Sequence, residues 1–154
     1  DIAMTTNGSI LAKKARSLAE AGLKRVTVSL DAIDEDIFQG FNDVGFPAAK
    51  VLAGIDVALA EGFQVKVNTV VKRGVNEAET VRIAEHFRGT GVIPRFIEYM
   101  DVGTSNGWRM TEVVPSRETL DRIAEHRSTP TTRAKPRRAG ATATARANSA
   151  SSAP

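Results

Sequence analysis

Apolar residues recur along this chain in two rhythms that take turns. Residues 1–5, 25–30, 64–71 and 93–99 are rich in Val, Ile and Thr and read as strands. Between them, apolar positions recur at spacings of three and four. Leu11, Ala15, Leu18 and Ala19 form one such set, and Val51, Leu52, Ile55, Ala58 and Leu59 a second. A third, less clean, runs through Val81, Ala84, Glu85 and Phe87. Each set predicts a helix with one face turned inward. A shorter helix is predicted over 34–41, after the second strand. Gly22, Gly62 and Gly91 stand between a helix and the next strand, where a left-handed residue ends the helix without a Cβ clash. Asn76, followed three residues later by Glu79, resembles a capping box. Strand–helix–strand repeats of this length predict parallel strands joined by right-handed crossovers, an α/β fold of about four βα units.

From Thr129 the rhythm stops. The stretch STPTTRAKPRRAGATATARANSASSAP has no apolar period and is expected to be disordered. Its bias toward Ala, Arg, Thr, Ser and Pro resembles GC-rich DNA translated out of frame. The division is therefore a folded domain over 1–126 and a basic tail over 127–154. Charge divides the same way. Residues 1–126 hold 15 Lys and Arg against 18 Asp and Glu, a net of −3. The tail holds six basic residues and no acidic one, and the two parts give the chain its +3. The basic balance belongs to the tail, so the fold is not expected to present a nucleic-acid face. Six scattered charges without aromatic partners are a weak signal for an anionic partner of the tail.

The chain has no cysteine. Disulfides, thiolate metal sites and a Cys nucleophile within the chain are excluded. No run approaches the roughly 20 apolar residues that span a bilayer. No basic-then-apolar leader opens the sequence, so the expected setting is cytoplasmic, with no membrane partner. Asp1 is followed at once by strand-like Ile2 and Ala3, which suggests a chain that starts inside a fold.

Parallel α/β folds place ligands at the C-terminal ends of their strands. The first strand leads into Thr5, Thr6, Asn7 and Gly8, groups that can bind a ligand but that also make an ordinary turn and N-cap. On the second, alternation sets Thr27, Ser29 and Asp31 opposite the aliphatics, as hydroxyls satisfied within a half-buried strand or as site groups at a barrel mouth. On the third, Lys66 alternates with Val65 and Val67. A Lys on an inward face needs compensation, from Asp31, from Glu98 or from a ligand phosphate; the phosphate is favoured. On the fourth, Phe96, Glu98 and Met100 share a face. Met100 is either core filler or lines a flat or sulfonium-bearing ligand. The loop 101–108 (DVGTSNGW) is long, polar and placed where loops carry function. His86 and His126 lie in predicted helices with no matching constellation, and structural roles are expected. There is no HExxH, P-loop, GxGxxG or nucleophile elbow.

TTNG, VTVSLDAID, KVNTVVKRGVN and RFIEYMDVGTSNGW follow one another at strand ends over residues 1 to about 125. In order and spacing they resemble the molybdenum cofactor biosynthesis protein A family, the GTP 3′,8-cyclases of the radical S-adenosylmethionine (SAM) superfamily. The resemblance implies a partial parallel (β/α) barrel of the radical SAM type. It implies a lyase that uses SAM and an iron–sulfur (4Fe-4S) cluster to form a deoxyadenosyl radical, which starts conversion of GTP to the cyclic pyranopterin precursor of molybdenum cofactor. Position by position, it implies GTP contacts at Thr5, Lys66 and, more weakly, Arg95. It implies SAM contacts at Ser29 and Met100. Among partners, it leaves room for a homodimer. The family's CxxxCxxC motif and the cysteines of its second cluster have no counterpart here. The expectation is therefore an incomplete fragment, with no catalytic residue or metal ligand of its own and no turnover. The alternative reading is a GTP- and SAM-binding module without catalysis. A barrel lacking strands leaves an open edge, and poor solubility is expected.

Overall fold

The computed structural model describes residues 2–42, 45–102 and 107–128. Residues 129–154, nearly all of the expected tail, lie outside the described residues, as do 103–106 of the polar loop.

Strand β1 (Ile2–Thr6) leads to helix α1 (Leu11–Glu20) and strand β2 (Leu23–Ser29). Two helices come next, α2 (Glu35–Asn42) and α3 (Ala48–Ala60), then strand β3 (Gln64–Val71), helix α4 (Glu79–His86) and strand β4 (Ile93–Glu98). A 3-10 turn at Met110–Glu112 and helix α5 (Ser116–Ser128) complete the fold. The four strands pair in parallel in the order β1-β2-β3-β4. The α/β class and the four strand segments are as the sequence predicts, with ends that differ by one or two residues.

Strand order decides the layers. A doubly wound sheet reverses its strand order at a switch point and so carries helices on both faces. Here the order never reverses, and right-handed crossovers of one sense lay the helices on one face. Burial reflects this. Val26, Val28 and Leu30 of one segment and Val65, Val67, Thr69 and Val71 of the next are at most 1% exposed, and they pack against Leu11, Ala15, Val51, Ile55 and Ala58. Each such aliphatic contributes about 1.5–3 kcal/mol over remaining in water. The alternate residues of the strands, on the other face, are half-buried or exposed.

Two helix faces match the sequence pattern and one does not. In α4 the buried positions are Glu79, Thr80 and Ile83, with Phe87 just beyond. Val81, Ala84 and Glu85 are only half-buried, so of the predicted set Phe87 alone is core. Gly22, Gly62 and Gly91 all take left-handed conformations; the first two stand one residue beyond the C-caps of α1 and α3, whereas α4 ends at His86 and Gly91 lies further on, just before β4.

One glycine is dictated by packing. Gly8 has φ 78°, and a Cβ there would stand 2.8 Å from Val51 Cγ1 and 3.1 Å from Val28 Cγ1. The β1–α1 loop thus lies directly on α3 and β2, which holds the end of β1 in register with its neighbours.

Candidate functional site: the open face of the parallel sheet

The register of the strands aligns the polar residues in two rows. Thr5 pairs with Thr27, Thr27 with Lys66, and Lys66 with Ile93. Two residues further along, Ser29 pairs with Asn68, and Asn68 with Arg95. Paired residues of neighbouring parallel strands point to the same side, and this is the side without helices. Strands lie about 4.8 Å apart and successive same-face residues about 6.6 Å apart, so Thr5, Ser29, Lys66 and Asn68 fall within roughly 12 Å of one another. Among the described residues, Thr5, Ser29, Lys66 and Arg95 make no side-chain hydrogen bond or ion pair.

Both internal partners open to Lys66 are engaged elsewhere. Asp31 accepts the amide of Val70 at 2.8 Å and is 6% exposed. The strand ends at Ser29, alternation ends with it, and Leu30, Asp31 and Ala32 are all buried, so Asp31 does not continue the Thr27–Ser29 row. Burial raises the Asp31 carboxyl above its ordinary range, opposed by the bonds from Val70 and Asn42. Glu98 is on the helix side, where Oε1 accepts the amide of Ser116 at 2.6 Å and its hydroxyl at 2.7 Å. It caps α5, and the amide of Ser116 holds its pKa down, helped by the hydroxyl.

Asn76 and Glu79 do not form a capping box. The N-cap of α4 is Ala78, with no side-chain cap. Asn76 is fully buried; its Nδ2 donates to the carbonyls of Asp31 and Val70, each at 2.8 Å, and its Oδ1 accepts the amide of Lys72 at 2.8 Å. Glu79 is 1% exposed, and its Oε2 accepts the amides of Ile33 at 2.7 Å and Asp34 at 2.9 Å. Oε1 accepts Arg82 Nη1 at 2.8 Å. Competition explains the difference: two buried chain ends offer several unpaired backbone groups, and one cap would satisfy only one or two of them.

Met100 lies two residues past the end of β4 and is 56% exposed, while Phe96, assigned to the same face, packs against the core. The loop beyond β4 is pinned at both described ends. Trp108 Nε1 donates to the Tyr99 carbonyl at 3.1 Å, and Lys72 Nζ lies 4.7 Å from the Tyr99 ring centroid and 3.4 Å from Glu112 Oε1. His86 packs edge-on against Phe87, and with His126 it borders an open groove beside Ile33 and Val81 on the helix side, away from the polar rows.

Asn68 is a site residue to which sequence reasoning assigns no role. Its Oδ1 is buried and has no partner. Its alternation with Lys66 is the signal that could have found it. An orphaned acceptor beside Ser29 suits a ligand bearing hydroxyl or amine donors, so the residues present fit SAM. They do not fit an iron–sulfur cluster, because the chain has no cysteine to supply thiolates. Among the described residues no cluster of His, Asp and Glu is suited to a metal ion, and no helix is long and apolar enough to cross a membrane.

Known proteins resemble this chain in sequence and in fold. A GTP 3′,8-cyclase of Acidothermus cellulolyticus is 52% identical over 127 residues, covering 82% of this chain and 35% of that protein. One from Staphylococcus haemolyticus is 45% identical over 126 residues, covering 82% and 37%. This chain thus spans little more than a third of the length of these curated relatives. Among solved structures, a radical SAM methyltransferase from Sphaerobacter thermophilus superposes with a TM-score of 0.63 at 22% identity, over 80% of this chain and 36% of that one, a likeness of fold. Residues 1–87 match the radical SAM superfamily. On that match over more than half its length, the chain belongs to the radical SAM superfamily.

Proposed function

We propose that this chain is the ligand-bearing part of a GTP 3′,8-cyclase, in which its open sheet face holds GTP and SAM. The observation that carries the reading is Lys66: a cation on the helix-free face of the sheet, beside Thr27, with Asp31 and Glu98 both committed to backbone groups. A phosphate compensates such an ammonium where the protein does not. GTP is assigned to Thr5, Lys66 and Arg95, and SAM to Ser29 and Met100, with Asn68 beside Ser29. The likeness to the named cyclases over 82% of the chain supports this substrate pair. SAM supplies radical chemistry in that superfamily when a cluster accompanies it. The cluster's thiolates come from outside this chain, which by itself binds without turning over. A cytoplasmic setting belongs to the same reading.

Calorimetric titration of the 154-residue chain with GTP tests the proposal. Weak binding that drops at least tenfold in Lys66→Ala is expected. Equal affinity in the wild type and Lys66→Ala removes the phosphate role of Lys66, and no binding to the wild type removes the reading.

A further inference from the structure

Ser29 is the last residue of its strand, and the loop after it is held almost entirely by one other stretch of chain. Leu30 donates its amide to the Asn68 carbonyl at 2.9 Å, and its carbonyl accepts Thr69 Oγ1 at 2.7 Å. The carbonyl of Asp31 accepts Asn76, and the amides of Ile33 and Asp34 donate to Glu79. Arg82 closes the arrangement from the surface, reaching Glu79 at 2.8 Å and Asp34 at 3.3 Å. The β2–α2 loop is therefore set by residues of β3 and α4, the same unit that carries Asn68. Glu79 also stands where an anion would sit at the start of α2, because Ile33 and Asp34 offer it their free amides.

We propose that Glu79 is a positioning residue for the ligand held by Ser29 and Asn68: its buried carboxylate fixes the β2–α2 loop so that the two side chains stand at a constant separation, without touching the ligand itself. The inference rests on the SAM assignment given above. A ligand recognised by two groups on different strands loses affinity when their spacing fluctuates, since ordering the site is then charged against binding. Ser29 and Asn68 stand at the end of the ladder, next to the loop; of the groups assigned to GTP, Arg95 shares their row, but Lys66 and Thr5 lie one row further from the loop and feel its order less. The two ligands should therefore respond differently, which simple loss of stability would not produce.

The test is calorimetric titration of the full chain with SAM and with GTP, for the wild type, Glu79→Gln and Arg82→Gln. Arg82 is on the surface, so its variant keeps the test open if Glu79→Gln does not fold. Glu79→Gln is expected to weaken SAM binding at least tenfold and Arg82→Gln about threefold, with GTP affinity within twofold of wild type in both. Amide exchange at Ile33 and Asp34 should speed up in the same variants. Affinities for both ligands falling in proportion, or SAM affinity unchanged, overturns the inference while the binding reading stands. A wild type that binds GTP but not SAM removes the SAM assignment and this inference with it.

Discussion

Arg73 and Glu118 meet as a two-pronged ion pair, Nη1 to Oε1 at 3.0 Å and Nη2 to Oε2 at 2.7 Å. The pair ties α5 to the turn beyond β3. The same guanidinium also donates to the Val113 carbonyl at 3.2 Å. The carboxylate is shared, since Arg122 reaches Oε1 at 3.0 Å. Arg73, then Arg122, draws the Glu118 carboxyl down from its ordinary 4.5 to about 2.

That shift fixes a pH window. A carboxylate whose pKa is lowered on folding stabilises the docked state fully above its ordinary value and loses the contribution as pH falls through the folded value. Docking of α5 should therefore weaken between pH 4.5 and about 2. Amide chemical shifts of α5 followed against pH would report it. Glu118→Gln should flatten the dependence across this window and give weaker docking at neutral pH.

Asp31 should behave with the opposite sign. Burial raises its pKa, so the charged form is penalised in the fold, and stability is lost as pH rises from 3.8 through the raised value. Asp31→Asn retains an oxygen for the Val70 amide and removes the charge. Urea unfolding should find it at least as stable as wild type at pH 7, with less change in stability between pH 4 and 7.

Asn76→Ala should be strongly destabilising. It strands the carbonyls of Asp31 and Val70 and the amide of Lys72 in a buried setting. A loss of about 3 kcal/mol is expected in urea unfolding, because each orphaned buried group costs on the order of 1 kcal/mol or more. Asn76→Asp should not rescue it, since a carboxylate cannot donate to the two carbonyls.

Gly8→Ala should cost about 2 kcal/mol, from the left-handed backbone and from overpacking against Val51 together. A lowered thermal midpoint is the expected result. Pairing it with Val51→Ala should recover part of the loss, because the nearest atom to the added methyl is then gone.

The sequence determined the parallel α/β class, the strand segments, the core faces of α1 and α3, and the alternation that puts Lys66 and Ser29 opposite the aliphatics. Those are consequences of local period, and a period of two or of 3.6 is visible in any single stretch. The absence of cysteine also excluded cluster ligands from the chain without any structure. Strand neighbours were beyond it. Only the tertiary pairing set Thr5, Thr27 and Lys66 in one row, and Ser29, Asn68 and Arg95 in the next. Asn76 and Glu79 had the spacing of a local cap, yet in the fold they serve the backbone 45 and 46 residues away. A side chain's local alternatives can be read from its neighbours in sequence. Which alternative prevails depends on the unpaired backbone groups that folding buries beside it, and those come from distant chain.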